Sequence, residues 1–214
     1  VLQSGETVSQ EWRDEKGVPN MNIREDRRAK GNWWNEALSW VEGCSHVDDS
    51  CRDCWLEDMA GKRVNHPNEG VAARSRGVVS ALGKWIPDSV RFNPKDLDKP
   101  FRSTKSNVYS VWSDLFHEAV TDEELAVAFG VFAASRRDTF IICTKRAERM
   151  PKFFAEYNLA ECEHAAMEHF GCRYFKWMPT RQMGSREWPL HNVVGMVSVP
   201  RQEYAASRIG ALIE

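Results

Sequence analysis

Four short apolar runs, each followed by a stretch of helical spacing, constrain this chain more than any other feature. They lie at residues 38–43, 107–112, 139–144 and 193–199. The third, Thr139 to Thr144, is nearly continuous in apolar or β-branched residues, as expected of a strand covered on both faces. The fourth, Val193 to Val199, reads the same way. Thr121-x-x-Glu124 is a capping-box signature, and the helix it opens places Leu125, Ala128, Phe129 and Phe132 on one face. Helical sequence also runs through Phe153, Phe154 and Tyr157, and again over 160–170. Pro200 suits the first turn of a last helix whose apolar face is Ala205, Ile209 and Leu212. Buried strands alternating with helices indicate an α/β fold with a parallel sheet, either a βα-barrel or an open sheet. Eight such units typically take about 250 residues. Four therefore predict a partial (β/α) barrel, short of the full strand number. A hydrophobic sheet edge would be left open, so a second chain, a second copy or the N-terminal arm is expected to cover it.

The 214 residues suit one domain with a real core. Residues 1–31 read as a polar, mobile arm and 32–214 as the barrel-like domain. Within that domain, 65–105 is rich in Pro, Gly, Asn and Lys and reads as an insertion or lid, with a helix over 71–82. Hydrophobic residues make up 42% and charged residues 28%, which is ordinary for a soluble protein. No apolar run approaches the roughly 20 residues needed to span a bilayer, and the start lacks the apolar core of a signal peptide. A cytoplasmic location with reduced thiols is expected. Net charge is −2, so nucleic-acid binding would need a local patch. Among nine tryptophans, most should build core or pocket walls, and Trp33-Trp34, just ahead of the cysteines, is the notable pair.

Cys44, Cys51 and Cys54 follow the spacing Cys-x6-Cys-x2-Cys. Two thiolates separated by two residues converge easily on one metal centre, and a third a few residues upstream can close the same nest. A cubane cluster normally takes four cysteines, so three leave one iron free to bind a substrate or cofactor. The alternative is zinc, with His46 completing a Cys3His set. Cys143, Cys162 and Cys172 sit in apolar or helical contexts and are expected to be buried and unreactive.

Reactive groups in a βα-barrel stand at the C-terminal ends of the strands. Here those ends carry Cys44, then Ser113-Asp114 with His117-Glu118, then Lys145-Arg146, then Ser198. Asp114 and His117 have the chemistry of metal ligands or acid–base groups; the plainer reading is that Asp114 caps a turn and His117 is solvated. Lys145 and Arg146 could grip a carboxylate or phosphate, Arg by a bidentate fork, or could be surface charge. No Walker loop, dinucleotide fingerprint or nucleophile elbow is present.

Taken in order, Gly43-Cys44-x6-Cys51-x2-Cys54, Ser113-Asp114-Leu115-Phe116-His117, Thr144 through Met150 and Gly195-Met196-Val197-Ser198-Val199 resemble the phage three-Cys-motif proteins, a radical-SAM-like family. The resemblance covers about 32–214. It implies a partial βα-barrel of radical-SAM type, a [4Fe-4S] cluster on Cys44, Cys51 and Cys54, and S-adenosylmethionine on the unique iron. Reductive cleavage would yield a 5′-deoxyadenosyl radical that abstracts hydrogen. It also implies a cytoplasmic phage enzyme, or the cluster-bearing subunit of one, acting on a modified pyrimidine base or nucleotide in DNA hypermodification. Ser113, Asp114 and Ser198 would lie near the methionine moiety or ribose, and Lys145 and Arg146 would hold a carboxylate or phosphate. Two details depart from the radical-SAM pattern. The first cysteine gap is six rather than three, and Asp53 stands where an aromatic usually precedes the last cysteine. A non-catalytic, zinc- or cluster-stabilised module that binds nucleic acid or a partner is the second reading. A hydrolase using Asp114 and His117 with a divalent metal is the third.

Overall fold

The computed structural model describes residues 21–176 and 188–213. A helical turn, α1 (Glu25–Arg28), leads to strand β1 (Glu36–Leu38), and β2 (Val41–Glu42) follows after a break. The cysteine loop closes in a 3₁₀ turn (Asp49–Asp53) ahead of α2 (Trp55–Arg63). Next come α3 (Glu69–Ala73), β3 (Arg91–Phe92), α4 (Lys99–Arg102) and β4 (Val108–Val111). The rest of the chain forms α5 (Asp122–Ala134), β5 (Thr139–Thr144), α6 (Arg149–Glu156) and α7 (Leu159–Phe170). It ends with α8 (Cys172–Phe175), β6 (Val193–Val197) and α9 (Ala205–Ile213).

The main sheet has the order β1-β4-β5-β6 and is parallel throughout, so this is a mixed α/β fold. Each crossover delivers the chain to the next strand along. The strand ends therefore stand side by side in chain order, with Leu38 opposite Val111, Val111 opposite Ile142 and Thr144 opposite Val197. Tyr109, Val111, Phe140 and Ile142 face the helices and share one core with α5. Stacking binds this layer: Tyr109 lies on Phe140 at 5.5 Å between ring centres, and Phe132 of α5 meets Phe140 at 4.4 Å.

Thr121 and Glu124 close the expected capping box at the start of α5. This helix is buried all round, not on one face alone, because it lies between the sheet and α7. Gly130 allows the second contact. A Cβ there would sit 2.6 Å from the Ala166 methyl and closer still to the Cys162 carbonyl oxygen. Gly130→Ala is expected to lose about 1–3 kcal/mol by overpacking, despite alanine's better helix propensity. Urea unfolding would read this as a lower midpoint at unchanged slope.

Several expectations are corrected. The run 38–43 is not one strand. Trp40, fully buried, donates its indole N–H to the Asp96 carbonyl and stacks on Phe132, so the chain leaves the parallel sheet after Leu38. Val41 and Glu42 then pair antiparallel with Phe92 and Arg91. Of the helix expected over 71–82, only 71–73 is helical, as the end of Glu69–Ala73. Residues 65–105 contribute a small core of Val78 and Val79 against Ala60. β6 is a half-exposed edge strand instead of a buried one, with Met196 at 39% exposure. The Ala205, Ile209 and Leu212 face of α9 is not buried either, since Ile209 and Leu212 are exposed and Arg208 points inward. Cys172 is exposed and Cys143 half-buried, leaving Cys162 as the deeply buried thiol. The arm residues 1–20 lie outside the described residues. Its end is pinned, because Arg24 N–H donates to Asn35 Oδ1 and Asn35 Nδ2 donates to the Asn22 carbonyl. No helix among the described residues is long and apolar enough to cross a membrane.

Candidate functional site at the strand ends

Asp114 organises the C-terminal end of the sheet. It follows Ser113, which adopts a left-handed φ of 65°, a conformation that non-glycine residues adopt at a cost. That turn drops the Asp114 carboxylate between β4 and β5. Its Oδ1 accepts from Thr144 Oγ1 at 2.6 Å and from Phe116 N–H at 3.1 Å. Its Oδ2 accepts from Arg146 Nη1 at 3.0 Å and Lys145 N–H at 3.3 Å. Both members of the Asp114–Arg146 pair have side chains only 8% exposed. Arg146 also reaches Glu118 at 2.7 Å through Nε and Ser45 Oγ at 2.7 Å through Nη2.

A second network holds the cysteine loop. Asp48 starts the 3₁₀ turn by accepting from Ser50 N–H, and its side chain is nearly inaccessible. Lys145 Nζ lies 3.1 Å from Asp48 Oδ1 and 3.2 Å from Cys51 Sγ. Arg208 of α9 donates to Asp48 Oδ2 at 2.7 Å and to the Ser198 carbonyl at 2.6 Å, tying the loop to the end of β6. Burial raises the Asp48 carboxyl, but hydrogen bonds from Ser50, Arg208 and Lys145 outweigh it and hold the group far below its ordinary value.

The cysteines differ electrostatically. Burial works against a Cys51 thiolate. Backbone hydrogen bonds from Asp48 and Val47, with the Lys145 ammonium, nevertheless bring its pKa below the ordinary value. Burial, and then the Asp114 charge, push Cys44 up to about 11 although Arg146 opposes them. Cys44 therefore rests as a thiol at neutral pH, donating to the Ser45 carbonyl at 3.5 Å. Cys54 caps the first turn of α2 with its backbone and is half-buried.

His117 is buried. Its Nδ1 accepts from Ala119 N–H at 3.1 Å, which assigns the ring proton to Nε2, 2.8 Å from Ser45 Oγ. Ser45 thus accepts from both His117 and Arg146, so the imidazole cannot act as a base toward it in this state. Burial, and next to it the Arg146 charge, hold the imidazole below its ordinary pKa. The unfolded chain therefore binds this proton more readily. The His117 contribution to stability is present above about pH 6.5 and is lost as pH falls through the folded value. Thermal unfolding should show wild type losing more stability than His117→Gln as pH falls below about 6.5.

The structure thus joins Asp114, His117, Lys145, Arg146, Cys44 and Cys51 in one connected region. Ser113 Oγ instead donates to the Gly43 carbonyl, and Ser198 takes part through its backbone oxygen. Lys145 and Arg146 are already engaged by internal carboxylates. His46, the candidate fourth zinc ligand, sits 3.3 Å from the buried Glu57, which Lys84 also engages. Asp48, Ser45 and Arg208 were missed from sequence. The visible signal for Arg208 was a lone charge in the otherwise uncharged stretch Ala205-Ala206-Ser207-Arg208-Ile209. As they stand, no three His, Cys, Asp or Glu side chains among the described residues converge as an ion-binding group. The donor chemistry nevertheless suits an anionic iron–sulfur cluster: three thiols on one loop, with Lys145 on Cys51 and Arg146 on Cys44 to offset thiolate charge.

Residues 28–214 match the family described as a protein of unknown function, DUF5131, and the chain belongs to that family. No curated protein and no solved structure matches it.

Proposed function

We propose that this DUF5131 protein is a radical S-adenosylmethionine iron–sulfur enzyme, or the cluster-bearing subunit of one, acting on a pyrimidine base or nucleotide in phage DNA. Cys44, Cys51 and Cys54 would hold a [4Fe-4S] cluster, and the parallel sheet would be a segment of the βα-barrel that such chemistry uses. One observation carries the reading: a three-thiol loop lies at the C-terminal ends of parallel strands, with a lysine on one of those thiols and an arginine on another. When bound, the cluster supplies the electron that splits S-adenosylmethionine and so starts hydrogen abstraction from the substrate.

The chain's own residues have definable tasks in this reading. Lys145 and the Val47 N–H favour the Cys51 thiolate, which makes it the first ligand ready for iron. Cys44 must lose its proton on loading, and the nearby Arg146 charge, which already favours the thiolate, offsets the new charge. Asp114 and Thr144 fix Arg146 in that position. The Asp48–Arg208 pair holds the loop against β6, so the thiols stay at the strand ends.

The test is anaerobic reconstitution with iron and sulfide, then dithionite and S-adenosylmethionine. Release of 5′-deoxyadenosine and methionine supports the reading. A loaded cluster with no cleavage and no S-adenosylmethionine binding would leave a structural cluster instead. The zinc reading is separated by metal content, and replacing His46 should leave the metal content of an iron protein unchanged.

A further inference from the structure

Four tryptophans form a continuous surface beside the cysteine loop. Trp33 meets Trp34 at 4.7 Å between ring centres, Trp34 meets Trp112 at 6.3 Å, and Trp112 meets Trp55 at 5.4 Å, all edge to face. The Arg63 guanidinium lies 5.6 Å from the Trp112 ring centre. The two outer rings are open to solvent, Trp33 at 43% and Trp55 at 57% exposure. Indoles of this size normally go to the core, and Trp55 directly follows Cys54.

Along β1 runs a hollow of about 510 Å³. Five cationic side chains line it: Arg24, Arg74, Lys99, Arg102 and Lys105. Two carboxylates line it with them, each shared, while Asp26 and Asp98 outside the lining also pair with Arg24 and Arg102. Glu36 serves Arg24 and Lys99, and Asp96 serves Arg74 and Arg102. Within the lining, five cations against two carboxylates leave a positive balance that favours an anion, in a chain whose net charge is −2. A smaller hollow shares Ser39 and Arg74 with it and leads up to Arg63, Trp112 and Ser113. Trp112 thus joins the indole row to the smaller hollow, and Ser39 and Arg74 join that hollow to the cationic one.

We propose that this track binds single-stranded DNA, with Trp33 and Trp55 stacking its bases and the cations of the β1 hollow taking its phosphates. Aromatic faces joined to a cationic groove suit an unpaired strand, because stacked bases inside a duplex cannot offer their faces to an indole. The inference deepens the reading above by giving the site its substrate class. It needs no cluster, and so it can fail or hold independently.

The experiment uses the whole chain without metal and a fluorescently labelled oligothymidylate of about 12 nucleotides, within the span such grooves cover. Anisotropy should rise on binding, and affinity should fall between about 50 and 200 mM salt. Trp33→Ala and Trp55→Ala should each weaken binding about tenfold with the salt slope unchanged. Arg102→Ala with Lys105→Ala should also weaken it, and should flatten the slope by about 0.7 for each phosphate contact removed. Trp33, Trp55 and both cations are exposed, so these variants retain the fold. Salt-insensitive or absent binding, equal affinity for a duplex of the same length, or indifference to both tryptophan variants would overturn the proposal. Any of these results would leave the cluster reading untouched, just as a metal-free protein that binds strands would support the track alone.

Discussion

Replacing Asp114 with alanine is expected to destabilise the fold by about 3–5 kcal/mol, the cost of breaking a buried ion pair by removing one partner. Arg146 would be left with its guanidinium largely inside the protein and only the exposed Glu118 as an acidic partner. Three further donors, Thr144 Oγ1, Phe116 N–H and Lys145 N–H, would lose their acceptor at the same stroke. Removing both charges should therefore cost less than the two single changes suggest. Asp114→Ala combined with Arg146→Met is predicted to be clearly more stable than additivity allows. Chemical denaturation of the two single variants and the double variant provides the cycle. Strict additivity would mean that the pair is not the organising contact of the strand ends.

Cys51→Ala is expected to reduce iron and sulfide to background and to abolish S-adenosylmethionine cleavage, while the fold survives. Cys51 is the thiol best prepared as a ligand, with Lys145 at 3.2 Å and its pKa lowered. Cys162→Ala is the matching control. That thiol is fully buried between α5 and α7, where burial pushes its pKa up to about 12. It should lose a little stability through the small cavity left behind and no metal. Equal metal content in Cys51→Ala and wild type would remove this cysteine from the ligand set.

Much of the sheet was readable in sequence, because buried parallel strands are written as local apolar runs. Thr139–Thr144 appears where expected, and the strands expected over 107–112 and 193–199 shift by a residue or two at their ends. The break after Leu38 was not readable. It depends on Trp40 bonding Asp96, a partner 56 residues away, which no periodicity encodes. The same limit hid the role of α9. Its pattern promised a buried Ile209–Leu212 face, but a salt bridge to Asp48, 160 residues upstream, turns Arg208 inward instead. Strand-end logic did find Asp114, Lys145 and Arg146, since parallel strands must gather their C-terminal residues at one rim. It could not say that these cations would already be held by carboxylates of the chain itself.

The most direct test is elemental analysis of protein purified without oxygen and reconstituted with iron and sulfide. The account predicts close to four irons and four sulfides per chain, lost when Cys44, Cys51 or Cys54 is replaced and unaffected at Cys162. One equivalent of tightly held zinc, or iron that persists without those three cysteines, would contradict it.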